Sequence, residues 1–276
     1  MTTRRTEQAA PAREPAQLIE RIAQVLRDDP RVRAAWLSGS RGRGEADAYS
    51  DIDVWLVVPA GELPGFVQDW PALCDRITPT VLRQQVGTAP VFTAVTPEWL
   101  RFDLAVGTPE DVPSRSRSTL EPLFDRADLT ARLGPEGEPL TPDPARVAAL
   151  TAEFLRVLGL LPVALGRGEY VVAASGTGLL RQTLIQLMRE DVAVEDRGGA
   201  LRLEGLLPPE RLRTLAALPP IEATRASAVA GHLACARAFL PLARDLYARC
   251  GLAWPGPLES AARAHLRATL GLELDA

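Results

Sequence analysis

The chain has 276 residues, 46% hydrophobic and 24% charged, with a formal net charge of −4. A chain of that length and balance folds as one large or two small globular domains without disulfide or metal staples. The mild acidity excludes a protein that coats nucleic acid by charge alone.

All 31 basic residues are Arg. Any phosphate must therefore be held by guanidinium, hydroxyl, backbone N–H or metal, and a covalent lysine intermediate is excluded. Cys74, Cys235 and Cys250 are odd in number and far apart. They form neither a zinc spacing nor a disulfide framework, which fits a reducing, cytoplasmic compartment. No apolar stretch follows Arg4 and Arg5, and no run approaches the roughly 20 apolar residues a membrane helix needs. The expectation is a soluble chain with no membrane partner.

Residues 1–14 are polar and predicted to be disordered. From Pro15 to Arg27, Leu18, Ile19, Ile22, Val25 and Leu26 recur at helical spacing. Val32 to Leu37 reads as a strand broken by Ser38-Gly39-Ser40, and residues 41–47 as a short helix or loop. Ile52 to Val58 is a near-continuous apolar run, the pattern of a strand buried on both faces. Leu63 to Ile77 is predicted helical. Pro90–Thr96 and Leu100–Val106 are predicted strands joined by a turn at Thr96-Pro97-Glu98-Trp99.

Seven prolines punctuate residues 107–144, marking a connection in which Leu120 to Asp125 reads as partly ordered. Beyond it, Ala/Leu/Arg segments at about 145–165, 168–191, 208–217, 222–251 and 257–270 carry helical periodicity. The predicted architecture is an α+β domain over 15–106, a small mixed sheet with flanking helices, followed by an all-α bundle over 145–276.

The chemistry concentrates between Gly39 and Asp103. Asp51 and Asp53 are two apart at a strand start, so both carboxylates face one side. Asp103 stands within the apolar strand Arg101–Val106, where it either joins them around a metal or pairs with Arg101. Paired Mg²⁺ ions, held by such hard oxygen ligands, suit phosphoryl chemistry. Gly39 permits close approach of backbone to phosphate, and Ser40 offers a hydroxyl and an N–H. Arg41 and Arg43 are either a phosphate grip or part of a solvated loop.

Together, Gly-Ser after a strand, a ten-residue spacer, Asp-Ile-Asp and a later strand Asp resemble the DNA polymerase β-like nucleotidyltransferase superfamily over residues 17–106. The Gly-Ser-Arg-Gly-Arg-Gly…Tyr-Ser-Asp-Ile-Asp form, the total length and the helical second part are similar to the bacterial aminoglycoside and lincosamide nucleotidyltransferases. The resemblance implies that Ser40 contacts terminal phosphates. It implies that Asp51, Asp53 and Asp103 ligate two Mg²⁺ (or Mn²⁺) ions, with ATP bound between the domains. A small-molecule hydroxyl, an aminoglycoside's among the candidates, then attacks the α-phosphorus and releases pyrophosphate. The alternative keeps the chemistry and makes the acceptor a protein or tRNA, the latter disfavoured by the acidic balance.

Such enzymes are also expected to use a general base, usually Glu. Gly166-Arg167-Gly168-Glu169-Tyr170 supplies a candidate: Glu169 is either that base or an ordinary first-turn acid, and Arg167 a phosphate contact. Arg181, on an otherwise apolar helix, is either a phosphate ligand or half of a salt bridge. His232 and His265 are expected to pack in a core or interface rather than bind metal. Trp36, Trp55 and Trp99 are read as core, and Trp254 as packing at a helix end.

Overall fold

A computed structural model describes residues 14–198 and 203–274. The stretch expected to be disordered lies, up to residue 13, outside the described residues. The chain divides into two units, Met1–Gly137 and Glu138–Ala276.

In the first unit, α1 (Pro15–Asp28) leads into β1 (Ala34–Ser38), the one-turn α2 (Gly39–Gly42) and β2 (Ile52–Val57). Next come α3 (Leu63–Ile77), β3 (Leu82–Gln85), β4 (Val91–Val95), β5 (Arg101–Gly107) and β6 (Glu121–Asp125). The six strands form one sheet in the order β3-β4-β5-β2-β1-β6. Only β2 and β5 pair in parallel; every other neighbour is antiparallel.

The central strands are buried on both faces, as the unbroken apolar run of β2 requires. Ile52, Val54 and Leu56 pack with Leu18, Ile22 and Leu26 of α1 and Phe66 and Trp70 of α3. Trp55 and Val57, pointing the other way, pack with Trp36, Val112, Leu120 and Leu133. Trp36 and Trp55 are register partners and stack with ring centroids 4.9 Å apart. Trp99 departs from its expected core role: it is 74% exposed, in the turn before β5, with φ +66°.

The sheet does not end at residue 106. β6, inside the Pro-rich stretch, pairs with β1. Pro122 is tolerated because β6 is an edge strand with one hydrogen-bonded neighbour. β3, Leu-Arg-Gln-Gln, forms the other edge; all four residues are exposed, so no apolar alternation announces it.

Among the described residues, the second unit contains α4 (Pro144–Leu158), α5 (Leu161–Gly166), α6 (Tyr170–Glu190), α7 (Pro209–Ala216), α8 (Arg225–Arg249) and α9 (Gly256–Leu270). The segment expected as one helix over 145–165 breaks at Gly159-Leu160, with Pro162 restarting it as α5. Asp143 caps α4, its carboxylate accepting the backbone N–H of Ala145 and Arg146.

Phe154 and Phe239 stack face to face at 3.8 Å in a core built from α4, α6 and α8. Contrary to the sequence expectation, Pro144–Gly166 and Arg225–Arg249 are long and apolar enough, by composition, to cross a membrane. The first is two helices, and the apolar residues Phe154, Cys235 and Phe239 are buried in this core. Trp254 packs edge-on against Tyr247 at a helix end, and His265 is exposed on α9.

Candidate active site

The parallel pairing of β2 with β5 sets Asp53 directly beside Asp103. On the outer sides, Asp53 is opposite Ser38 of β1, and Asp103 is opposite Thr93 of β4. Register partners share a face of the sheet, so Ser38, Asp53, Asp103 and Thr93 form a polar row across four strands. Thr93 gives the Asp103 carboxylate a hydrogen bond.

The carboxylates repel one another. Burial first, then the charges of Asp51 and Asp103, push the Asp53 carboxyl up to about 6. Burial also raises Asp103. Arg43 and Arg101 oppose the shift at Asp53.

Asp51 lies just before β2. Its Oδ2 is 3.2 Å from Nη2 of Arg101, with both side chains about a third exposed. The expected alternative for Asp103, a salt bridge with Arg101, is thus realised at Asp51. Among the described residues no three Asp, Glu, His or Cys side chains are gathered closely enough to form a ready metal cage. The donor set nevertheless suits a hard divalent cation: three carboxylates, two of them with raised pKa, in a cluster whose negative charge is only partly offset.

The Gly-Ser turn meets this row. Gly39 has φ +59°, and a Cβ on it would stand 2.0 Å from Asp53 Oδ2. Gly42 is equally tight; its Cβ would fall 2.2 Å from the Thr119 carbonyl oxygen and 2.7 Å from that of Leu37. Glycine at these two places lets α2 lie flat against the sheet and the segment leading into β6. Ser40, half-buried, is in that turn.

Arg41 spans the spacer loop. Its Nε donates to the Asp51 carbonyl at 3.0 Å and its Nη2 to that of Ser50 at 3.4 Å. It ties the spacer loop back to α2 and so positions Asp51. Arg43 pairs with Glu45 at 3.1 Å. Asp47 closes an Asx turn, accepting from the Tyr49 N–H and the Ser50 hydroxyl.

Glu169, Arg167 and Arg181 belong to the second unit. Arg181 donates its Nη2 to the Pro219 carbonyl at 2.7 Å, a backbone partner rather than the carboxylate of the salt-bridge alternative. Glu169 stands at the cap position of α6 without accepting a capping bond. Together with Arg167 it lines a cavity of that unit.

Sequence reasoning missed Thr93 and Ser38, and the pairing of Arg101 with Asp51. Thr93 interrupts the apolar run Val91-Phe92-Thr93-Ala94, which is a signal, but only strand register tells that it faces Asp103.

Two carboxylates side by side on neighbouring strands, facing a Gly-Ser turn, are the arrangement a nucleotidyltransferase needs on its donor side. The family model for streptomycin adenylyltransferase matches residues 12–267. The chain belongs to that family and is a nucleotidyltransferase. A solved structure of an aminoglycoside 6-adenyltransferase from Bacillus subtilis is 13% identical, with TM-score 0.44, covering 92% of this chain and 96% of that one. No curated protein sequence matches.

Proposed function

We propose that this protein transfers AMP from ATP to a hydroxyl of a small, aminoglycoside-like molecule. The observation that carries the reading is the Asp53–Asp103 register pair against Gly39, in a chain of the streptomycin adenylyltransferase family. The acceptor oxygen forms a bond to the α-phosphorus, the bond from that phosphorus to the α–β bridging oxygen breaks, and pyrophosphate leaves. The hydroxyl proton passes to a carboxylate base.

Asp53 and Asp103, joined by Asp51, would hold divalent cations, with Mg²⁺ the hard ion that suits them. When bound, such ions neutralise charge on the phosphates as it shifts to the leaving group. Ser40 contributes its hydroxyl and N–H to the terminal phosphates, and Arg43 a charge beside them. Arg101 holds Asp51 until a cation competes for it. The second unit is proposed to bind the acceptor.

The test is to incubate the protein with Mg²⁺ and ATP against a panel of aminoglycosides and lincosamides and to follow pyrophosphate. At least one aminoglycoside should give acceptor-dependent release that Asp53→Asn abolishes. If no member of the panel does, the acceptor assignment fails.

A further inference from the structure

The second unit holds a cavity of about 480 Å³ between the C-terminal end of α4, α5, the first half of α6 and His232 of α8. That volume falls in the range of small-molecule sites. Its lining is chiefly aliphatic and includes Val157, Leu161, Ala164, Val172 and Leu179. Val172 and Leu179 are also 57% and 54% exposed, an apolar rim facing solvent.

Beside Ser175, Arg156, Arg167 and Glu169, the lining holds one polar side chain that is fully buried, His232. His232 is 1% exposed. Its Nδ1 lies 2.8 Å from the Ala228 carbonyl oxygen, which can only accept, so Nδ1 carries the proton. The same N–H is 3.1 Å from Thr177 Oγ1, whose own hydrogen goes to the Ala173 carbonyl at 3.2 Å. Nε2 therefore keeps its lone pair, and among the described residues nothing donates to it.

Gly176 lies in front of that nitrogen; a Cβ there would stand 3.4 Å from Nε2. Any larger residue would narrow the approach to Nε2. Burial holds the imidazole neutral by pushing it down to about 4.

The charges nearby do not select a charged guest. Arg156 is engaged by both carboxylate oxygens of Glu153 at 2.7 Å. Arg167 and Glu169, exposed members of the lining, are of opposite sign. A polycation would leave its ammonium groups unpaired against Val and Leu side chains.

We propose that this cavity binds an uncharged, largely apolar small molecule that donates one O–H or N–H to His232 Nε2, a ligand different in kind from a polycationic acceptor.

The experiment titrates the full chain with 2-naphthol and, separately, with 2-methoxynaphthalene, which keeps the apolar body and lacks the donor. Calorimetry gives affinity, and ¹⁵N-labelled histidine reports Nε2; the chain has two histidines, so the two rings are separable. 2-Naphthol should bind about tenfold tighter than its ether, the contribution of a hydrogen bond to a buried acceptor, and should shift only the His232 Nε2 signal. Val172→Trp, at an exposed position that leaves the core untouched, should fill the cavity and remove binding. His232→Phe should erase the preference between the two probes; should that variant not fold, the comparison in the unaltered protein still decides. No binding, equal affinities, or binding that survives Val172→Trp each overturns the proposal. Neither nucleotide nor acceptor is present, so the outcome is independent of the transfer reaction.

Discussion

The backbone of Gly39 lies so close to Asp53 that a Cβ on Gly39 would come within 2.0 Å of the carboxylate oxygen Oδ2. The contact joins the turn after β1 to the start of β2, so the Gly-Ser turn and the Asp53 carboxylate are held as one piece. It makes Gly39 the most demanding position of the site, by both space and its φ of +59°.

Gly39→Ala is expected to displace Asp53 or unwind the turn. Transfer activity should fall by about 100-fold or more, the scale of misplacing a group by about an ångström, and thermal unfolding should shift down. Retained activity with unchanged melting would show that the turn is not held against Asp53.

Asp53→Asn separates chemistry from folding. It removes a half-buried charge crowded by Asp51 and Asp103, so without divalent cations the variant should be as stable as the parent or more so. Activity should fall by about 10²- to 10³-fold, the scale of losing one major electrostatic group. Calorimetric melting and pyrophosphate release, measured on one preparation, check both halves.

Arg101→Met tests the pair with Asp51. Both side chains are about a third exposed, so the pair is expected to contribute under ~1 kcal/mol to stability, and melting should hardly move. Removing a cation that competes for Asp51 should lower the Mg²⁺ concentration for half-maximal activity severalfold. A raised Mg²⁺ requirement would contradict the competition.

His232 sets a pH dependence of stability. Its imidazole titrates at about 4 in the folded chain, because of burial, against an ordinary value of 6.5. Above 6.5 it is neutral in both states and costs nothing. As pH falls from 6.5 toward 4, the unfolded chain takes up the proton and the folded chain does not. Stability therefore declines through that window, by up to roughly 3 kcal/mol. Denaturant unfolding at pH 7.5 and 4.5, compared between the parent and His232→Gln, should show a smaller acid loss in the variant. Proton uptake by folded His232 near pH 6.5, seen by NMR, would remove the basis for this.

Much of the candidate site is legible without a structure. Gly-Ser, the ten-residue spacer and Asp-Ile-Asp are local, and period-two geometry alone puts Asp51 and Asp53 on one side of a strand. The apolar runs likewise locate β1, β2, β4, β5, α1 and α3, because burial on one or both faces leaves a periodic trace. β3 and β6 leave no such trace: one edge strand is wholly exposed, and the other carries Pro122 within a proline-rich stretch.

Sequence by itself determined the family-bearing motif and the identity of the carboxylates. Only tertiary structure decided which groups meet: Asp103 with Asp53 and Thr93, Arg101 with Asp51 rather than Asp103, Arg41 with the Asp51 and Ser50 carbonyls. The cavity around His232 Nε2 is also a tertiary result, because it needs α4, α5, α6 and α8 together. Spacing along the chain dictates the direction of a side chain on its own element. Strand register and helix packing, which arise from segments far apart in sequence, dictate its partner.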